Sequence, residues 1–297
     1  MLDLLAGFFR AYDQLLLFAA INSLLALSIY ATLSAGMLSL ANGAFMAIGA
    51  YSSALLTLNQ HWPLAASLAA GSLLAGAVGF LLGLPVLRLR GVFLAIATLG
   101  FGEVVRIALL NWEPTGGPLG LNAIPATTRL WEVALALVVV SYYFVRLRHS
   151  RMGHALLAIR EDEPAARTMG INTFYYKNCA FVTGALIAGL AGGFSAHQTH
   201  SIEPANFTFG LAVNILIYAI VGGTGAFWGP MLGSTLLTVL PETLRFLKDY
   251  RLIFNGLVLL GIIIFLPNGL MSLFQWWPRG RGEATQVTAA SLDAVEA

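Results

Sequence analysis

Residues 14–87 read QLLLFAAINSLLALSIYATLSAGMLSLANGAFMAIGAYSSALLTLNQHWPLAASLAAGSLLAGAVGFLLGLPVL, without a single Asp, Glu, Lys or Arg. A hydrocarbon core about 30 Å thick needs about 20 apolar residues of helix to cross it. The 74 positions therefore hold three spans joined by short turns. The rest of the chain continues the theme: it is 58% hydrophobic and only 10% charged, against about 25% charged in a soluble domain. The fold class is all-α, a polytopic helical membrane protein.

Apolar segments near 15–34, 37–58, 64–87, 92–110, 130–147, 176–196, 208–223, 227–244 and 252–268 predict eight to ten spans. Asn42, Gly43 and Gly49 interrupt the second, which reads as a broken or re-entrant helix. Irregular backbone at that depth is tolerated only where protein or a watery cavity surrounds it. Met1-Leu2-Asp3-Leu4 lacks a basic start or a cleavage signature, so the first span is expected to serve as its own insertion signal. The tail at 276–297 opens on Trp276-Trp277, suited to a headgroup interface, and its polar remainder reads as disordered. Residues 1–275 form one membrane domain on this reading.

Charge placement sets the orientation. Arg88 and Arg90, an island at 146–167, and Arg279 with Arg281 mark the cytoplasmic side, since short cytoplasmic loops are rich in Lys and Arg. Loops 111–129 and 197–207 carry only Glu113, Arg129 and Glu203 and face outward. The 245–251 loop is more basic than an outside loop should be.

Several chemistries are excluded by residue type. A P-loop requires Gly-Lys-Ser/Thr, and the only two lysines, Lys177 and Lys248, lie outside such a pattern. Gly193-Phe194-Ser195-Ala196-His197 departs from a nucleophile elbow at its last position. His197 and His200 have no adjacent carboxylate or thiol set to complete a metal site. Cys179 is a lone cysteine in an apolar run. No covalent chemistry, cofactor or metal is expected in this chain, and no nucleic acid partner.

Polar groups inside spans are costly, about 2.5–3.5 kcal/mol for a charge at helix centre, and so face protein or water. Glu103 and Arg106, three residues apart in one span, either lock helix packing as an ion pair or line a translocation path. Asn42, Thr98 and Asn214 make interhelical hydrogen bonds or join Glu103 along that path. Gly79/Gly83, Gly189/Gly193 and Gly225/Gly229/Gly233 repeat at four-residue spacing, which lets helices approach closely.

The island RLRHSRMGHALLAIREDEPAAR (146–167) puts eight charges into 22 residues. Its Arg-rich start is a topological anchor. Ala155, Leu156 and Ile159 share one helical face, expected to lie against the membrane domain. Glu161, Asp162 and Glu163 before Pro164 signal a helix start, and Gly170 a stop, so a helix of about two turns is expected over 161–170, within a cytoplasmic loop at 146–174.

Glu163-x-Ala165-Ala166-x-x-x-Gly170 resembles the cytoplasmic motif by which ABC importer permeases dock their ATPase, with Pro164 as a departure. AIREDEPAARTMGIN (158–172) is similar to the branched-chain amino acid permease family of the LivM type. LSLANGAFMAIGAY (38–51), LRLRGVFLAIATLGFGEVVR (87–106), TGGPLGL (115–121), IVGGTGAFWGPMLGS (220–234) and FLPNGL (265–270) extend the resemblance in family order. It implies a vitamin-B12-importer-like (type II) permease of a prokaryotic inner membrane. The implied partners are a second related permease, two ATPases that carry ATP and Mg, and a periplasmic substrate-binding protein. Arg160, Glu161, Asp162, Glu163, Pro164, Ala165, Ala166 and Gly170 are the ATPase-coupling residues on this resemblance. Urea or short amides are the alternative substrates, and a carrier or channel working without ATP is the alternative class.

Overall fold

A computed structural model describes residues 2–125 and 128–243, together with Gly256, Leu260, Gly269 and Leu270; side-chain surroundings are described from Tyr12 to Pro241. Ten α-helices run through the described residues: α1 (Leu2–Leu33), α2 (Asn42–Gln60), α3 (Leu64–Val86), α4 (Val92–Asn111), α5 (Leu130–Arg148), α6 (Arg151–Glu161), α7 (Glu163–Thr168), α8 (Thr173–Thr199), α9 (Phe209–Gly222) and α10 (Trp228–Thr243). Five, counting α1 from Tyr12, are long and apolar enough to cross a membrane: α1, α3, α4, α5 and α8. The protein is a polytopic helical bundle. The expected span at 252–268 and tail at 276–297 lie outside the described residues.

Helix ends follow local chemistry. Pro63 precedes α3 in an extended conformation, and His61, in a left-handed conformation, closes α2. Glu132 Oε2 accepts from the Arg129 backbone N–H at 3.1 Å to start α5.

α8 forms the centre, packed on α1, α2 and α3. Its spanning segment and that of α1 are 67% buried, against 22% in α4 and 17% in α5, so the latter two are peripheral. Small residues make the central contacts possible. A Cβ on Gly49 would fall onto the Gly189 carbonyl, and one on Gly192 onto the Met46 carbonyl. The Gly79 position meets Ala185, and Gly229 and Gly233 lie against the end of α9. These four-residue repeats thus serve close approach within one chain, except at Gly225, where an added Cβ would meet nothing within 4 Å. Ser23 contacts Ser234 at 3.0 Å and Asn22 donates to Thr238 at 2.9 Å, tying α1 to α10.

The interrupted second segment resolves into irregular backbone at 37–40 and a helix that begins at Asn42. Met37 and Ser39 of the irregular stretch are buried, while Leu38 is exposed. Thr98 Oγ1, in the second turn of α4, accepts from Leu40 N at 3.0 Å, and Ser39 Oγ accepts from Ala41 N at 3.3 Å.

The loops sort into two ends. At one, Leu121 and Ile202 exchange backbone hydrogen bonds at 2.9 Å, His197 Nδ1 lies 3.2 Å from Pro125 O, and Tyr51 donates to Ile202 O. At the other, α6 and α7 pack beside the α3–α4 link and the α9–α10 turn. Arg160 donates to both the carbonyl and the hydroxyl of Thr224 at 3.2 Å, and the backbone of Arg160 abuts Gly36. Leu270 N donates to Val221 O at this same end. Arg88, Arg90 and the cations of 146–167 gather here, so the division that charge counting predicts is a physical one.

Candidate functional site at the basic end of the bundle

The charged island folds as two short helices meeting at Asp162. Ser150 Oγ caps α6 by accepting from Gly153 N at 3.1 Å. Ala155, Leu156 and Ile159 are buried, as their spacing predicts, and burying a large apolar side chain is worth roughly 1.5–3 kcal/mol. That anchorage matters because α7, six residues long, is too short to persist alone in water.

α7 is shorter than the two turns expected over 161–170. Glu161 ends α6, and Asp162 stands between the helices as a cap, its Oδ1 accepting from Ala165 N at 2.9 Å. Glu163 and Pro164 occupy the first turn. The stop is where Gly170 predicts it: Gly170 takes φ +81°, while Gly170 N donates to Arg167 O at 3.0 Å and Ile171 N to Ala166 O at 3.1 Å. This is a Schellman closure, which favours glycine at the left-handed position.

Glu163 does not point outward. Its Oε2 accepts from Lys177 Nζ and its Oε1 from Arg167 Nη2, both at 2.6 Å. Burial works against the Glu163 charge, but hydrogen bonds and charge from Lys177 and Arg167 outweigh it and hold the carboxyl below the usual carboxylate range. Ala166 is buried behind it. The outward surface is made by Glu161, Asp162, Pro164, Ala165 and Gly170, all exposed, and by Met169 at 81%. Arg160, exposed, reaches sideways to Thr224. Of the eight coupling candidates, five form one exposed tip, Arg160 is exposed but bonded to Thr224, and Glu163 and Ala166 hold the tip to the bundle.

The four path candidates part company. Glu103 lines a narrow cleft with Gly43 and Ala44 of α2 and Phe207, Thr208 and Ala212 at the start of α9. The free space there is about 10 Å³, on the scale of one water molecule, so no amino acid fits in this conformation. Arg106 donates to Glu103 at 2.7 Å; both side chains keep partial exposure. Asn42 donates to Ser28 Oγ at 2.8 Å and leaves its Oδ1 buried without a hydrogen-bond partner among the described residues. Thr98 is the buried clamp on Leu40, and Asn214 is exposed on α9. Neither Asn42, Thr98 nor Asn214 lines the cleft.

Sequence reasoning missed Lys177 as the partner of Glu163 and Thr224 as the partner of Arg160. A lone lysine in the second turn of a span is a usable signal for the first; Thr224 carries none.

The family described as branched-chain amino acid transport system / permease component matches residues 11–266. The chain belongs to this family. It is 38% identical over 275 residues to the high-affinity branched-chain amino acid transport system permease protein LivM of Escherichia coli (strain K12), covering 80% of this chain and 64% of that protein. The Salmonella typhimurium LivM matches to the same extent. The chain thus spans just under two thirds of the length of these curated relatives. It is also similar to the ribose import permease protein RbsC of Escherichia coli (strain K12), at 24% identity over 271 residues and 82% of each chain. No solved structure matches.

Proposed function

We propose that this chain is the membrane-spanning permease subunit of an ATP-driven importer in a prokaryotic inner membrane, moving branched-chain or other hydrophobic amino acids. Residues 1–275 serve as the permease domain and 276–297 as a cytoplasmic tail. Energy comes from ATP and Mg held by two separate ATPase subunits, a second permease completes the pore in a type II architecture, and an external binding protein delivers the substrate. The chain itself performs no catalysis.

The observation that carries this reading is the exposed tip at 161–170. A six-residue helix braced by three buried apolar residues and a two-way ion pair is a rigid peg with small outward side chains, suited to a cleft on a moving partner. Only a partner that contacts the peg differently in its nucleotide states can shift the permease between conformations. Kinship with the LivM proteins supports the substrate class. Glu103, which lines the narrow cleft, is the group proposed to meet the substrate ammonium once that cleft widens, with Asn42, Thr98 and Asn214 shaping the helices around it.

Reconstitution tests the reading. The chain is placed in liposomes with candidate ATPases, a second permease and a binding protein, and leucine uptake and ATP turnover are measured. Ala165→Trp is expected to abolish leucine-dependent ATP turnover while leaving the chain inserted. ATP-independent uptake by the chain alone, or full coupling in the variant, would sink the proposal.

A further inference from the structure

Behind the exposed tip lies a cleft of about 250 Å³ that the coupling role does not use. Arg88 and Arg90 of the α3–α4 link line it, with Arg167 and Lys177 opposite, and Glu163 is its one carboxylate. Glu163 already pairs with Arg167 and Lys177. The guanidinium groups of Arg88 and Arg90 have no hydrogen-bond or ion-pair partner among the described residues, and the lining keeps an excess of positive charge.

The level of this cleft identifies its occupant. Arg88 lies two residues past the end of α3, Arg90 two before α4, and Lys177 in the second turn of α8. Three candidate spans leave the membrane here together. Apolar side chains sit on the adjoining outer faces: Leu84 on α3, Val92 and Phe93 on α4, Phe174 and Tyr175 on α8, all exposed. Cations at headgroup level above exposed apolar helix faces suit a molecule with an anionic head and hydrocarbon tails. The volume agrees, being below the about 300–1,000 Å³ of pockets that engulf a whole drug-sized ligand, so it takes a head and leaves chains outside.

We propose that this cleft binds the phosphate of an anionic phospholipid, with Arg88 and Arg90 as the principal contacts and the acyl chains along α3 and α4. An acidic segment of a protein partner offers similar charge, but would not use the apolar faces below the cleft. The proposal stands apart from the importer reading, since it needs only that the basic end lie at a membrane surface.

Native mass spectrometry of the delipidated full-length chain in detergent, titrated with dioleoylphosphatidylglycerol or dioleoylphosphatidylcholine, tests it. The wild type should retain phosphatidylglycerol in preference to phosphatidylcholine. A basic residue near an anionic lipid is worth about 1 kcal/mol, so Arg88→Gln with Arg90→Gln should weaken retention roughly 25-fold. Arg146→Gln with Arg148→Gln, at the same end but outside the cleft, should leave it unchanged. If the double variant fails to fold, each single substitution should still show about a fivefold loss. Wild-type retention in the cleft variants, equal binding of phosphatidylcholine, or displacement of the lipid by millimolar inorganic phosphate would overturn the proposal. So would loss of a co-purifying ATPase with lipid affinity intact.

Discussion

At the scale of the residue, Glu163 shows how one side chain turns a loop into a fixed feature. Its two oxygens are shared between Arg167 on its own helix and Lys177 on α8, so α7 cannot swing without breaking an ion pair whose carboxylate and ammonium are largely screened from water. Glu163→Gln leaves the Lys177 ammonium half-satisfied, an expected loss of about 1–3 kcal/mol at neutral pH. Because folding depresses the Glu163 pKa, its contribution is whole above the ordinary value of 4.5 and disappears as pH falls through the lower folded value. Unfolding free energies of wild type and Glu163→Gln, measured in detergent across pH 3–8, should therefore differ by a constant amount near neutrality and converge in acid. A gap that persisted at the lowest pH would refute the ion-pair explanation.

At the scale of the element, the bundle depends on backbone contact between α2, α3 and α8. Gly192 sits where any Cβ would strike the Met46 carbonyl, whereas Gly100 on α4 has nothing within 4 Å of an added Cβ. Gly192→Ala should destabilise the chain by about 1–3 kcal/mol, as over-packing does. Gly100→Ala should be neutral or stabilise by about 0.5–1 kcal/mol, because alanine loses less entropy in a helix. Thermal unfolding of the two purified variants decides the matter, and equal effects would contradict the contrast. The same packing explains why α7 needs α6: the buried Leu156 and Ile159 supply the attachment that its own few residues cannot.

At the scale of the whole molecule, basic loops gather at one end and the Leu121–Ile202 bridge closes the other. With Cys179 replaced by alanine, Met169→Cys should react with an impermeant maleimide only in inside-out vesicles. Asn122→Cys, exposed at the opposite end, should react only in right-side-out cells; labelling of both from one side would invert or abolish the two-ended arrangement. Hydrophobic length alone pointed to a helical membrane bundle, because a bilayer demands about 20 apolar residues whatever they later touch, and five of the described helices are long and apolar enough to cross one. Local chemistry likewise made a short helix ending at Gly170 legible, although it was expected over 161–170 and spans only Glu163–Thr168, since start and stop signals act through residues a few positions away. Tertiary structure decided the rest: that Glu163 faces Lys177 rather than a partner, that Thr98 clamps Leu40, and that Arg160 reaches Thr224. Those pairs lie 14, 58 and 64 residues apart, and a separation of that size is bridged only by the crossing of helices, which no local pattern encodes. The charge-free run at 14–87 therefore declared a membrane bundle by itself, while the chemistry of its basic end emerged only once the bundle had closed.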